Sequence, residues 1–183
     1  KDGVSAVADI SNDASSFPVK RESPVYTRTF LEVFGTEPGD CEGVIDAVTA
    51  LDKVAKEFGI DAAPTPHSCY TMSPELLSAS SAAGLKSGFL SYHSQESQEE
   101  EDLMISGTGA MAENRKRAGM STPPVTGESS LKYFIDRLAA VKPAPHDEHM
   151  LLVHNVTLKQ DDVDAAKKAF NNVFWAICPL SNI

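Results

Sequence analysis

Apolar residues along this chain fall into two alternating rhythms. Short runs rich in β-branched residues, bounded by polar turns, read as strands at 4–11 ("VSAVADIS"), 25–35 ("VYTRTFLEVFG"), 60–67 ("IDAAPTPH") and 88–93 ("GFLSYH"). Between them lie stretches with the helical period. After Pro38, Val44, Ile45, Val48, Leu51, Val54, Ala55 and Phe58 recur on one face, and Gly59 closes the segment. "SPELLSASSAAGLK" opens with Ser73 as a cap, Pro74 at the first helical position and Glu75 next, a helix start.

From Glu99 to about Gly127 the pattern loosens into acid, glycine and the basic "ENRKRAG", which predicts one or two short helices in an excursion. Regular alternation then resumes. "SSLKYFIDRLAAV" is an amphipathic helix, "HMLLVHNV" a buried strand, and "KQDDVDAAKKAF" a helix with early acids and late lysines. "NVFWAICPLSNI" is a sixth strand.

Apolar strands alternating with helices imply an α/β fold with a parallel sheet covered on both faces. No glycine-rich phosphate fingerprint follows the first strand, which weakens a dinucleotide-binding reading. A (β/α) barrel alternates in the same way but needs eight units and about 250 residues. Six strands leave two architectures open, an open parallel sheet or an incomplete barrel, in a single domain over 1–183 with the excursion at about 99–127.

Composition narrows the class without changing that picture. Of 183 residues 42% are hydrophobic and 23% charged, enough apolar material for a core and too little charge for wholesale disorder. A net charge of −10 argues against nucleic acid as a partner. No apolar run approaches the roughly 18 residues of a membrane span, and no signal-peptide pattern opens the chain. Three widely spaced cysteines, Cys41, Cys69 and Cys178, suit reduced thiols of a cytoplasmic protein better than a disulfide framework. The chain opens at Lys1, inside a strand-like stretch, as an internal piece of something longer would.

Three histidines hold the same place in their units. His67 ends "IDAAPTPH", His93 ends "GFLSYH" and His154 ends "MLLVH". Parallel strands deliver their C-termini to one edge or mouth, where such folds do chemistry. Three imidazoles around one pocket suit divalent-metal binding and proton transfer near neutral pH. Glu96, just beyond His93, reads in three ways: a metal ligand, a general acid or base beside a metal-activated water, or one more solvated acid of "ESQEEED". His146 and His149, in "APHDEHM", read as solvated loop residues, and Glu99 to Asp102 as a solvated helix start.

"APTPHSCYTMSPELL", "YHSQES", "LLVHNVTLKQDDV" and "ICPLSNI" resemble, in that order, successive strand ends of the amidohydrolase superfamily, nearest the metal-dependent cytosine/adenosine-type deaminases and chlorohydrolases. The resemblance implies an incomplete TIM-type (β/α)8 barrel covering approximately strands two to seven. It implies one divalent metal, zinc ahead of iron, held in this chain by His93 and His154, with His154 also beside the attacking water. Glu96 resembles the glutamate that passes the proton of that water to the substrate, while His67 and Tyr70 resemble substrate contacts. Gln95 departs from the commoner "H-x-A-E" pattern.

The family also uses an HxH pair after strand one and an aspartate after strand eight, and the sequence contains no HxH. The resemblance therefore implies part of a metal-dependent hydrolase that deaminates a purine- or pyrimidine-like heterocycle. Weak metal binding and no turnover are expected of these residues alone. Open strand edges would favour homo-oligomers or edge-to-edge association. The competing reading is a non-catalytic, self-associating barrel remnant.

Overall fold

The computed structural model describes residues 3–182; Lys1, Asp2 and Ile183, the ends of the expected 1–183 domain, lie outside the described residues. The strands are β1 (Ala6–Ser11), β2 (Tyr26–Val33), β3 (Asp61–Pro66), β4 (Phe89–Ser94), β5 (His146–His154) and β6 (Phe170–Ala176). The helices are α1 (Phe17–Glu22), α2 (Cys41–Glu57), α3 (Pro74–Lys86), α4 (Gln98–Ser106), α5 (Gly109–Arg117), α6 (Ser130–Val141) and α7 (Gln160–Ala169). Two three-stranded parallel sheets result, ordered β1-β2-β3 and β4-β5-β6. The α/β class and the parallel strands expected from the alternation are present.

The break between the sheets has a local cause. β3 carries Pro64 and Pro66, which have no N–H to give to a ladder. Thr65 bridges the seam instead: its Oγ1 donates to the Ser91 carbonyl at 2.6 Å and accepts the Ser91 N–H at 2.8 Å. One residue past β3, the His67 carbonyl accepts the His93 N–H at 2.8 Å. The two sheets therefore adjoin at β3 and β4, and their C-terminal ends lie side by side.

Alternation along the strands separates two faces. Leu31, Leu90, Tyr92, Met150 and Leu152 face the helices in one buried cluster with Phe17, Leu76 and Phe134. The Tyr92 and Phe134 rings stack at 3.9 Å, which locks α6 over β4. The α3 helix begins at the expected cap, where the Ser73 side chain accepts the Leu76 N–H at 3.2 Å. It lies so close to the sheet that a Cβ on Gly84 would stand 2.1 Å from Leu90 Cδ1.

On the other face Ala8, Arg28, Phe30, Phe89, Leu151 and Phe174 line a cavity of 330 Å³. Arg28 anchors it, paired with Asp61 and donating to Ser87 Oγ at 2.6 Å while lying over the Phe89 ring. Glu32 is on the same face as Arg28 and Phe30, two positions further towards the C-terminal end.

Several local expectations shift. The six-residue α1 has no counterpart in the hydrophobic pattern, because one and a half turns carry too little periodicity to read. It is held by Phe17, which is fully buried, and by Lys20, whose Nζ lies 2.6 Å from Asp9 Oδ2. The polar start of β5 reads as loop in the sequence, yet the strand begins at His146, which is buried rather than solvated. His149 is exposed but belongs to the strand, its ring stacked on Phe89 at 4.9 Å and on Phe174 at 5.8 Å. The excursion resolves into α4 and α5. No helix among the described residues is long and apolar enough to cross a membrane.

Candidate active site

The ends of β3, β4 and β5 bring His67, His93 and His154 into one row. Ring centroids are 4.8 Å apart for His67 and His93, and 5.3 Å apart for His93 and His154. All three side chains are largely shielded from solvent. Tyr70 stands at the His67 end, its ring edge-on at 6.1 Å. Glu96 stands at the other end, with Oε1 3.4 Å from His154 Nε2. The five residues singled out in the sequence thus share one site.

His154 reaches it through an unusual backbone. Met150 and Leu152 face the helices, so simple alternation would send His154 the same way. A φ of 73° at His154 turns it instead towards His93. Asn155 and Gln95 also have positive φ, 60° and 54°. Such conformations cost of order 1–3 kcal/mol each for residues other than glycine and persist only where surrounding bonds impose them. Those bonds are present: the Asn155 N–H donates to the Ser94 carbonyl at 2.9 Å and the Val156 N–H to the Gln95 carbonyl at 2.8 Å.

The loop after β4 is fixed from below by buried acids. Ser97 caps α4 and accepts the Glu100 N–H at 3.3 Å. Glu100 in turn reaches back, accepting the N–H groups of Gln95 at 3.0 Å and Glu96 at 2.9 Å. The Gln95 amide donates to Asp162 Oδ2 at 3.1 Å, and Glu101 Oε1 accepts the Ser130 N–H at 3.0 Å. Glu100 and Glu101 are 1% and 2% exposed, so the expected solvated helix start is corrected: of Glu99 to Asp102 only Glu99 is exposed. Their partners are backbone N–H groups and residues distant in sequence, which residue composition does not reveal. Burial raises the Glu100 carboxyl to about 7 against the pull of those hydrogen bonds.

Glu32 joins the site without having been singled out by the sequence pattern. It sits on the interior face of β2, with Oε1 3.4 Å from His93 Nδ1 and 3.8 Å from His67 Nε2. A signal existed: in "TRTFLEVFG" a lone acid shares the parity of Arg28 and Phe30 in an otherwise apolar strand end. Glu32, His67 and His93 each offer one donor atom within 4.8 Å of the others, a group able to hold a metal ion. Burial, then the neighbouring His67 and His154, lowers the His93 pKa to about 4, and burial lowers that of His67 as well. Both rings are therefore neutral near pH 7, the form that binds a metal. His93 Nδ1 is buried without a hydrogen-bond partner among the described residues, so the donor set fits a divalent ion.

No protein-family model matches the chain, and no curated protein matches it. Solved structures do. Aminofutalosine deaminase from Helicobacter pylori, in complex with methylthio-coformycin, superposes with a TM-score of 0.79 at 23% identity over 98% of this chain and 43% of that one. Guanine deaminase from C. acetobutylicum, with guanine bound in its active site, gives 0.59 at 14% identity over 98% of this chain and 41% of that one. A triazine hydrolase variant gives 0.51 at 16% over 96% of this chain and 38% of that one. The chain thus spans less than half the length of each. All three are amidohydrolase-superfamily members, and what this chain shares with them is the fold of part of an amidohydrolase-superfamily barrel.

Proposed function

We propose that this chain forms strands two to seven of a metal-dependent amidohydrolase barrel whose reaction is the hydrolytic deamination of a purine- or pyrimidine-like heterocycle. The observation that carries the reading is the row His67, His93, His154 at adjacent parallel strand ends, with Glu96 against His154. The fold neighbours include two deaminases, which supports the reaction class.

Zinc suits the site best, since imidazole and carboxylate donors are its usual ligands, and when bound it supplies Lewis-acid activation of a water molecule. His93 presents a neutral ring for it, and His154 stands beside it. Glu96 is half-buried and within reach of solvent, placed to take a proton from the attacking water and give it to the ring nitrogen, then to carry the proton of the added hydroxyl to the departing amine. His154 Nε2, 3.4 Å from Oε1, orients that carboxylate. Tyr70, with His67 beside it, lines the side on which a planar heterocycle would stack. Such a small-molecule enzyme suits a cytoplasmic setting.

The test is ammonia release from a panel of amino-substituted purine and pyrimidine nucleosides, using the longest natural polypeptide that contains this chain, loaded with zinc. Turnover of at least one member is expected. A folded, zinc-loaded protein inert to the whole panel would refute the deaminase reading. The 183 residues alone are expected to be inactive.

A further inference from the structure

We propose that Glu32, His67 and His93 form a divalent transition-metal site contained wholly within this chain. It rests on the same strand ends as the hydrolase reading but is read by binding alone, so the two can fail separately.

The three residues come from β2, the position just after β3, and β4, and their donor atoms lie within 4.8 Å of one another. Two imidazoles and one carboxylate are a donor set that zinc, cobalt and nickel accept, leaving further positions open for water or substrate. Two of the three are already oriented by hydrogen bonds. His67 Nδ1 is hydrogen-bonded to Thr71 Oγ1 at 2.8 Å and Ser68 Oγ at 3.0 Å, which leaves Nε2 facing Glu32. A hydrogen bond on the far ring nitrogen is how metal-binding histidines are commonly fixed in tautomer and direction. Glu32 is steadied by the Asn12 amide, which donates to Oε2 at 3.1 Å, so Oε1 is left for the cluster. His93 Nδ1 lies 3.4 Å from that oxygen yet makes no hydrogen bond among the described residues.

The Glu32 carboxylate oxygen faces ring nitrogens of both histidines, one of them without a hydrogen bond, and a cation placed among the three donor atoms would join them all. His154 is outside the set, its Nε2 turned to Glu96. His67 then serves the substrate side by holding the cation, and Tyr70 is left as the direct contact.

The experiment titrates the metal-free 183-residue chain with Co²⁺, followed by visible absorption, and with Zn²⁺ by calorimetry. One equivalent should bind. Glu32→Gln and His67→Gln should each weaken binding at least tenfold, while His154→Asn should change it less than threefold. Should a variant fail to fold, nitrogen-15 spectra of the wild-type histidine rings decide: Zn²⁺ should move the His67 and His93 signals and spare His154. Absence of saturable binding to the folded wild type overturns the proposal. So does a metal that responds to His154 and not to Glu32, a result that leaves the hydrolase reading standing.

Discussion

Glu100 holds the backbone of Glu96, accepting its N–H at 2.9 Å while the other carboxylate oxygen accepts that of Gln95 at 3.0 Å. Glu100→Gln turns one acceptor into an amide donor facing an N–H. A buried donor left unsatisfied costs about 1–3 kcal/mol, and the urea midpoint should fall accordingly. Ser97→Ala, which removes only the cap, should cost about 1 kcal/mol. Equal midpoints for Glu100→Gln and wild type would show that the carboxylate does not carry this loop.

Stability should depend on pH through two opposed groups. His93 has a folded pKa of about 4 against an ordinary 6.5, so between those values the unfolded chain binds a proton that the folded chain refuses. Its contribution is full above pH 6.5 and is lost as pH falls to about 4. Glu100 has the reverse sign: its carboxyl is raised from 4.5 to about 7, so the folded chain keeps a proton that the unfolded chain has released. Its contribution is lost as pH rises through that window.

Each shift corresponds to on the order of 3 kcal/mol, and the two largely cancel where they overlap. In the presence of chelator, His93→Asn should become less stable from about pH 4.5 to 7. Glu100→Gln should become more stable from about pH 4 to 6.5. Urea unfolding of both variants across this range checks the signs, and parallel profiles would contradict them.

Gly84→Ala tests the packing of α3 on the sheet. The added methyl would meet Leu90 Cδ1 at 2.1 Å and the Pro64 carbonyl at 3.0 Å. Overpacking of this kind costs about 1–3 kcal/mol. The contact lies on the helix-facing side, away from the histidine row, so zinc affinity should be unchanged. A melting temperature equal to that of wild type would mean the helix shifts freely, against the close packing described.

Much of this was legible in the sequence because strand ends in parallel folds are functionally equivalent positions. Three runs ending in His67, His93 and His154 predict a shared site, and the rings do adjoin. What stayed hidden depended on tertiary context. Glu32 looks like an ordinary strand residue until the register of β2 places it on the interior face beside His93. Glu100 and Glu101 look like a solvated acid run because their partners are backbone groups before α4 and at the start of α6. The turn that brings His154 to the site is a property of φ, and its residue type gives no sign of it. The split at β3 was half legible: the prolines are plain, but the Thr65 bridge that replaces the ladder is not.

The most direct test of the hydrolytic site is Glu96→Gln in the longest natural polypeptide containing this chain, assayed for zinc content and ammonia release together. The carboxylate is assigned to proton transfer and not to the metal, so zinc should remain near one equivalent while kcat drops about 10²–10⁴-fold. Turnover within tenfold of wild type at full zinc occupancy would contradict the assignment.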